Sequence, residues 1–133
     1  MFINCPKNLS QKDLPGEIWY NIGVVDGVDY TGYYEVSNFL RTRNVSRYIT
    51  YKNGRVCFLK SRIKKPTIGK NGYYTVNLRK DGTSKNTYLH RIIASTFIYN
   101  DDPNHKTYMN HKDEDKLNNL PSNLEWCTPK YNV

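Results

Sequence analysis

Two alternating runs, each folded back on itself by a turn dipeptide, constrain this chain most. Residues 47–51 (Arg-Tyr-Ile-Thr-Tyr) and 55–59 (Arg-Val-Cys-Phe-Leu) flank Lys52-Asn53-Gly54. An Asn-Gly pair between β-rich runs is a strong hairpin signal, because both residues tolerate the left-handed backbone such turns need. Tyr73 to Arg79 alternates again, Asp81-Gly82 turns the chain, and Lys85 to Leu89 returns. The pattern then changes period. From His90 to Ile98 the apolar residues fall at 93, 94, 97 and 98, which predicts a short amphipathic helix. Two aspartates and Pro103 between Asn100 and Asn104 end it. The chain therefore reads as α+β, with strands predominant.

The remaining segments are read by the same rules. Residues 1–14 are polar and predict a loose arm. Pro15-Gly16 is a turn. Glu17 to Ile22 sets Trp19 among apolar neighbours as a core anchor. Gly23 to Gly32 is turn-rich, and Tyr33 to Asn38 is a short strand and turn. Residues 60–72 form a basic linker. At 133 residues the chain is one domain or two small lobes sharing a limited core.

Charge is uneven along the chain. Residues 1–40 carry 2 basic and 5 acidic side chains, residues 41–92 carry 14 and 1, and residues 93–133 carry 4 and 6. The whole surplus of +8 comes from the middle block. That block is interleaved with Tyr, Ile, Val and Leu, so it is folded rather than a tail. A solvated basic face is the bland reading. So many like charges on two or three hairpins repel one another unless a polyanion neutralises them, which favours nucleic acid.

Other classes are excluded. No run approaches the roughly 20 apolar residues of a membrane span. The N-terminus lacks the basic-then-apolar layout of a signal peptide. Cys5, Cys57 and Cys127 are odd in number and far apart, which suits neither a zinc knuckle nor a disulfide framework. A reducing cytoplasm is the simplest setting.

The stretch 108–132 carries a resemblance. Asn110-His111-Lys112-Asp113, Lys116-Leu117-Asn118-Asn119 and Asn123-Leu124-Glu125-Trp126-Cys127-Thr128 resemble the nuclease half of HNH homing endonucleases of the phage and intron type, as do Tyr88 to Ala94 and Phe97-Ile98. Glu17-Ile18-Trp19, Tyr34-Glu35-Val36-Ser37-Asn38, Arg41 and Arg43 resemble the small DNA-binding module that precedes that nuclease. There the family usually reads Ser-Asn-x-Gly-Arg-Val-Arg. Leu40 stands in place of the glycine, which argues against a left-handed turn at that position. Glu114 likewise stands where the family often has glycine.

The resemblance implies a fold and a chemistry. The fold is a β-rich N-terminal lobe with hairpins (1–66), followed by a ββα-metal (HNH, His-Me finger) nuclease motif (67–133) whose C-terminal helix is cut short at Val133. Phosphodiester hydrolysis needs an activated water, a cation against the charge building on phosphate, and stabilisation of the leaving 3′ oxygen. His111 is the implied base, since an imidazole titrates near neutrality. Asn110 and Asn132 are the implied ligands of one divalent cation, Mg²⁺ or Mn²⁺, which take oxygen donors. A bend in the strand would turn Asn110 to the side of His111. Thr128 and Pro129 make a helix start that would present Asn132. Asn123 would pin the loop 112–119 and hold the backbone that orients His111. Leu117, Leu120, Leu124 and Trp126 would pack beneath. His90, at a helix start, is given a structural or phosphate-contacting role, and His105 a surface one.

The chain thus reads as a metal-dependent DNA endonuclease of the HNH homing type, acting as a monomer or weak dimer and nicking double-stranded DNA. Its DNA-facing cations would be Arg41, Arg43, Arg47, Lys52, Arg55, Lys60, Arg62, Lys64, Lys65, Arg79, Lys80, Lys85 and Arg91. The rival, favoured by the short C-terminus, is a non-catalytic DNA-binding protein derived from a decayed or truncated nuclease. A structural or protein-interaction module explains the charge poorly.

Overall fold

The computed structural model describes residues 1–130. In chain order its strands are β1 (Trp19–Asn21), β2 (Val24–Val25), β3 (Val28–Asp29), β4 (Tyr34–Ser37), β5 (Thr42–Asn44), β6 (Arg47–Thr50) and β7 (Val56–Leu59). They continue as β8 (Ile63–Lys64), β9 (Thr67–Ile68), β10 (Tyr74–Lys80), β11 (Thr83–Tyr88), β12 (Tyr108–His111) and β13 (Leu124–Cys127). The helix α1 spans Leu89–Phe97, one residue earlier at each end than its apolar spacing suggests. The result is α+β, as expected.

Turn residues decide the hairpins. At the β10–β11 turn Asp81 and Gly82 have φ of 52° and 78°, both left-handed, so Lys80 pairs directly with Thr83. Asp26 (φ 50°) and Gly27 (φ 80°) make the same turn between β2 and β3, a hairpin hidden in a stretch read only as turn-rich. Two successive left-handed residues match the right-handed twist of paired strands. The β6–β7 loop instead takes three residues, with only Gly54 left-handed (φ 85°).

The strands assemble into a four-stranded sheet in the order β1-β4-β5-β8 and a three-stranded sheet β11-β10-β9, with β2–β3, β6–β7 and β12–β13 as separate pairs. One buried cluster runs from Ile22 and Val36 through Val76 and Leu78 to Ile92, Ile93 and Leu124. It crosses the position between residues 66 and 67. So does the Tyr34 hydroxyl, which donates to the Arg79 carbonyl (2.9 Å) and accepts from the Arg79 N–H (2.8 Å).

Four expectations are corrected. Arg41 does not face outward: it is 0% exposed. Its guanidinium forks onto both oxygens of Glu17 and also donates to the carbonyls of Asn8 (3.1 Å), Ser10 (2.6 Å) and Lys12 (3.1 Å). A buried guanidinium needs a partner for each donor, and five are present. The second correction follows. Residues 1–14 are a tied strap, held by those carbonyls, by Ile3 N–H to the Asn38 carbonyl (3.0 Å) and by Phe2 packed edge-on to Phe97. Third, Trp19 lies outside the buried cluster. It is half-buried, with the Arg43 guanidinium 3.9 Å above its ring and its indole N–H on Asp13. Fourth, Leu40 takes the left-handed turn at φ 63°, with its N–H on the Ser37 carbonyl and its side chain 1% exposed. Burial of the leucine offsets a strain of order 1 kcal/mol.

Candidate active site

Strands β12 and β13 pair in register, Asn110 opposite Glu125 and His111 opposite Leu124. Alternation along β12 turns Met109 and His111 inward toward α1 and leaves Tyr108 and Asn110 on the outer face. The bend that would bring Asn110 to the side of His111 is therefore absent, because the pairing continues through both residues. The Asn110 amide nitrogen donates instead to Glu125 Oε1 (2.8 Å) across the ribbon. Leu124 is in the core beneath, with Leu117, Leu120 and Trp126 packed against it, as expected.

His111 is 6% exposed. Its Nε2 lies 2.8 Å from Asn119 Oδ1, and Asn119 is itself fully buried. With Nε2–H donating to that oxygen, the lone pair sits on Nδ1, which has no hydrogen-bond partner among the described residues. Asn119 is the partner of His111 that sequence reasoning missed. Its only signal was the Asn118-Asn119 pair in the loop, and spacing does not say which of two neighbours turns inward.

Asn123 ties the loop that follows His111. Its Oδ1 accepts from the Asp113 N–H (3.0 Å), and its Nδ2 donates to Asp113 Oδ1 (2.9 Å) and to the Asn118 carbonyl (2.8 Å). The Lys112 N–H reaches the Asn123 carbonyl (2.8 Å) and the Glu114 N–H the His111 carbonyl (2.9 Å), so the peptide unit that follows His111 is held at both its N–H and its carbonyl. Hydrogen bonds from the Asn118 side chain, the Asp115 N–H and Asn123 hold the Asp113 carboxyl below the usual carboxylate range. Glu114 adopts φ 64°, a left-handed conformation that glycine takes most readily. Thr128 and Pro129 are not helical, and Asn132, the other implied ligand, lies outside the described residues.

His90 supports the site from behind. It is 7% exposed, stacks on Tyr88 (5.0 Å, 17°) and meets the His111 ring edge-on at 5.0 Å. Burial, then the neighbouring His111 and Arg91, lowers its pKa to about 3. It is thus a neutral spacer at physiological pH. The unfolded chain accepts a proton near pH 6.5 and the folded chain only near 3, so stability present above about pH 6.5 is lost as pH falls toward 3. Between roughly pH 7 and pH 5 the loss is about 2 kcal/mol, measurable by urea denaturation, and His90→Phe should flatten the slope by that amount.

The proposed DNA-facing cations divide. Lys52, Arg55, Lys60, Arg62, Lys65, Arg79 and Lys85 are exposed. Others are engaged: Arg43 with Glu35 and Asp13, Arg91 with Asp26 and the Thr107 carbonyl, and Lys80 with the Asp29 carbonyl. Arg47 lies 4.5 Å over the Tyr33 ring. Lys64 is half-buried over Tyr34, and burial lowers its pKa. Among the described residues no helix is long and apolar enough to cross a membrane.

The NUMOD4 motif matches residues 17–79. An uncharacterised HNH endonuclease of Acanthamoeba polyphaga mimivirus is 43% identical over 101 residues, covering 74% of this chain and 30% of that protein. The DNA endonuclease I-HmuI of Bacillus phage SP01 is 35% identical over 105 residues, 78% of this chain and 51% of that one. The solved structure described as DNA binding and cleavage by the HNH homing endonuclease I-HmuI superposes with a TM-score of 0.59 at 33% identity, covering 87% of this chain and 55% of that chain. The chain thus spans about half the length of I-HmuI and under a third of the mimivirus protein. On sequence and fold together, this chain is similar over most of its length to HNH homing endonucleases, and it carries the NUMOD4 motif.

Proposed function

We propose that the chain is a metal-dependent DNA endonuclease that hydrolyses one phosphodiester strand at a time. The observation that carries this reading is His111, anchored through Nε2 to Asn119 in a loop locked by Asn123 and Asp113, in a chain 35% identical to a DNA endonuclease. In this reading Nδ1 of His111 takes the proton of the attacking water, and Asn119 holds the tautomer that makes it a base. A divalent cation, when bound, offsets charge on the phosphate and on the leaving 3′ oxygen.

Two oxygen donors could hold such a cation, on the face of the β12–β13 ribbon opposite to His111. Asn110 and Glu125 share the outer face of the β12–β13 ribbon beside a cavity of about 290 Å³, whose lining also includes Lys106 and Thr128. Bonding of the Asn110 amide nitrogen to Glu125 turns its oxygen free, and Glu125 supplies the anionic oxygen that two asparagines lack. A monomer with one such site nicks.

A second reading, DNA binding without cleavage, is favoured by one observation: Asn110 and His111 lie on opposite faces of β12. Incubation with supercoiled plasmid separates the two. Conversion to open circles in Mg²⁺ or Mn²⁺, abolished by EDTA, is expected. Salt-sensitive binding with no conversion in either metal overturns the catalytic reading and leaves the binding one.

A further inference from the structure

The β6–β7 ribbon presents a side-chain stripe that the fold does not use. Tyr48 pairs with Phe58, and Thr50 with Val56, on one face. Tyr48 is 73% exposed, Phe58 57% and Val56 58%, and the two rings pack on each other at 5.1 Å rather than on the body. The opposite face, with Arg47 and Ile49, is half-buried and borders a cleft shared with Tyr33 and the β10–β11 turn. The ribbon is therefore held on one side and bare on the other. An isolated hairpin is marginal in water, and a contiguous exposed apolar stripe marks a surface that meets a partner.

Charge identifies the occupant. Exposed Lys52 and Arg55 stand at the ribbon's tip, and exposed Lys60 and Arg62 at its base. From Arg55 to Lys60 the chain runs five residues, about 17 Å at roughly 3.3 Å per residue. A major groove is about 12 Å wide and admits a two-stranded ribbon. Cations at both ends would then meet the two phosphate walls while the aromatic stripe faces base edges. A cation–aromatic–cation order fits a duplex; an acidic protein surface would leave the stripe without apolar contact.

Resting on the nuclease reading above, we infer that the β6–β7 ribbon enters the major groove of the target duplex and that Tyr48 and Phe58 contact base edges there. Apolar contact with thymine methyl groups is the available chemistry, since neither ring edge matches a bidentate hydrogen-bond pattern. The ribbon thereby contributes sequence preference, and its flanking cations contribute affinity.

The test uses the whole chain and a randomised duplex library. The parent should enrich a site, and replacing its thymines by uracil should weaken binding about tenfold. Tyr48→Ala/Phe58→Ala should bind that site about ten- to a hundredfold more weakly, bind unrelated duplex as before, keep the salt dependence, and retain the parent's melting temperature because both side chains are exposed. Lys52→Ala/Arg55→Ala should instead weaken all duplexes alike and lower the salt slope by about two. Unchanged enrichment by the aromatic double variant overturns the inference, as does equal loss on every duplex. Conversion of a parent dimer to monomer by that variant overturns it too, assigning the stripe to self-association. If the parent itself shows no salt-sensitive DNA binding, the nuclease reading fails and the inference with it.

Discussion

His111→Ala converts supercoiled plasmid at least about a hundredfold more slowly than the parent, in Mg²⁺ and Mn²⁺ alike, with DNA affinity within about threefold. The size follows from the contribution of a positioned general base, roughly 10² to 10⁴ in rate. Affinity is spared because the imidazole is buried against Asn119, Tyr73 and His90 rather than displayed on the cationic surface. Asn119→Ala tests the positioning role separately. It leaves the imidazole in place but frees its ring and tautomer, so a smaller loss of about tenfold and a shifted pH–rate profile are expected. Added imidazole should restore part of the His111→Ala activity and none of the Asn119→Ala loss. Equal rates for parent and His111→Ala at matched metal would remove the histidine from the chemistry.

The second large effect is on stability. Arg41→Ala leaves the Glu17 carboxylate buried without its counter-ion and the Asn8, Ser10 and Lys12 carbonyls without donors. Breaking one partner of a buried pair costs about 3–5 kcal/mol, a large share of the 5–15 kcal/mol that holds a typical domain together. The melting temperature should fall by more than about 10 °C. Arg41→Lys should recover only part of it, because an ammonium offers three donors where five bonds are made. Glu17→Leu/Arg41→Met removes both charges and should sit between parent and Arg41→Ala, since the strap carbonyls remain unpaired. Burial alone would raise the Glu17 carboxyl, but bonds from Arg41 and Ser37 outweigh it and hold it below its ordinary value. That contribution is therefore complete above about pH 4.3 and is lost as pH falls through the lower folded value. A melting temperature unchanged by Arg41→Ala would show that the fork contributes nothing.

The same arginine shows where sequence reading runs out. Arg41 and Arg55 look alike in a basic block, yet one is fully buried and the other exposed. Nothing within a few residues of Arg41 supplies its partners. They come from Glu17 and from carbonyls about 30 positions away. Trp19 fails for a related reason: an apolar neighbourhood in sequence does not reveal that Arg43 will cover its ring. The bend expected at Asn110 is absent because a regular ladder kept the alternation of the strand.

What the chain alone determined is whatever short-range chemistry decides. Asp81-Gly82 and Lys52-Asn53-Gly54 set two hairpins because few residues tolerate left-handed backbone. The 3.6-residue spacing of Ile93, Ala94 and Phe97 set α1, and Asn123 fell where its amide could close the loop after His111. Tertiary structure decided the rest: the burial of Arg41 and its strap, the left-handed Leu40, the choice of Asn119 over Asn118 as the partner of His111, and the outward pairing of Asn110 with Glu125. Each of these depends on which distant group fills a desolvated space or faces a strand across the sheet, and local conformational preference carries no information about that.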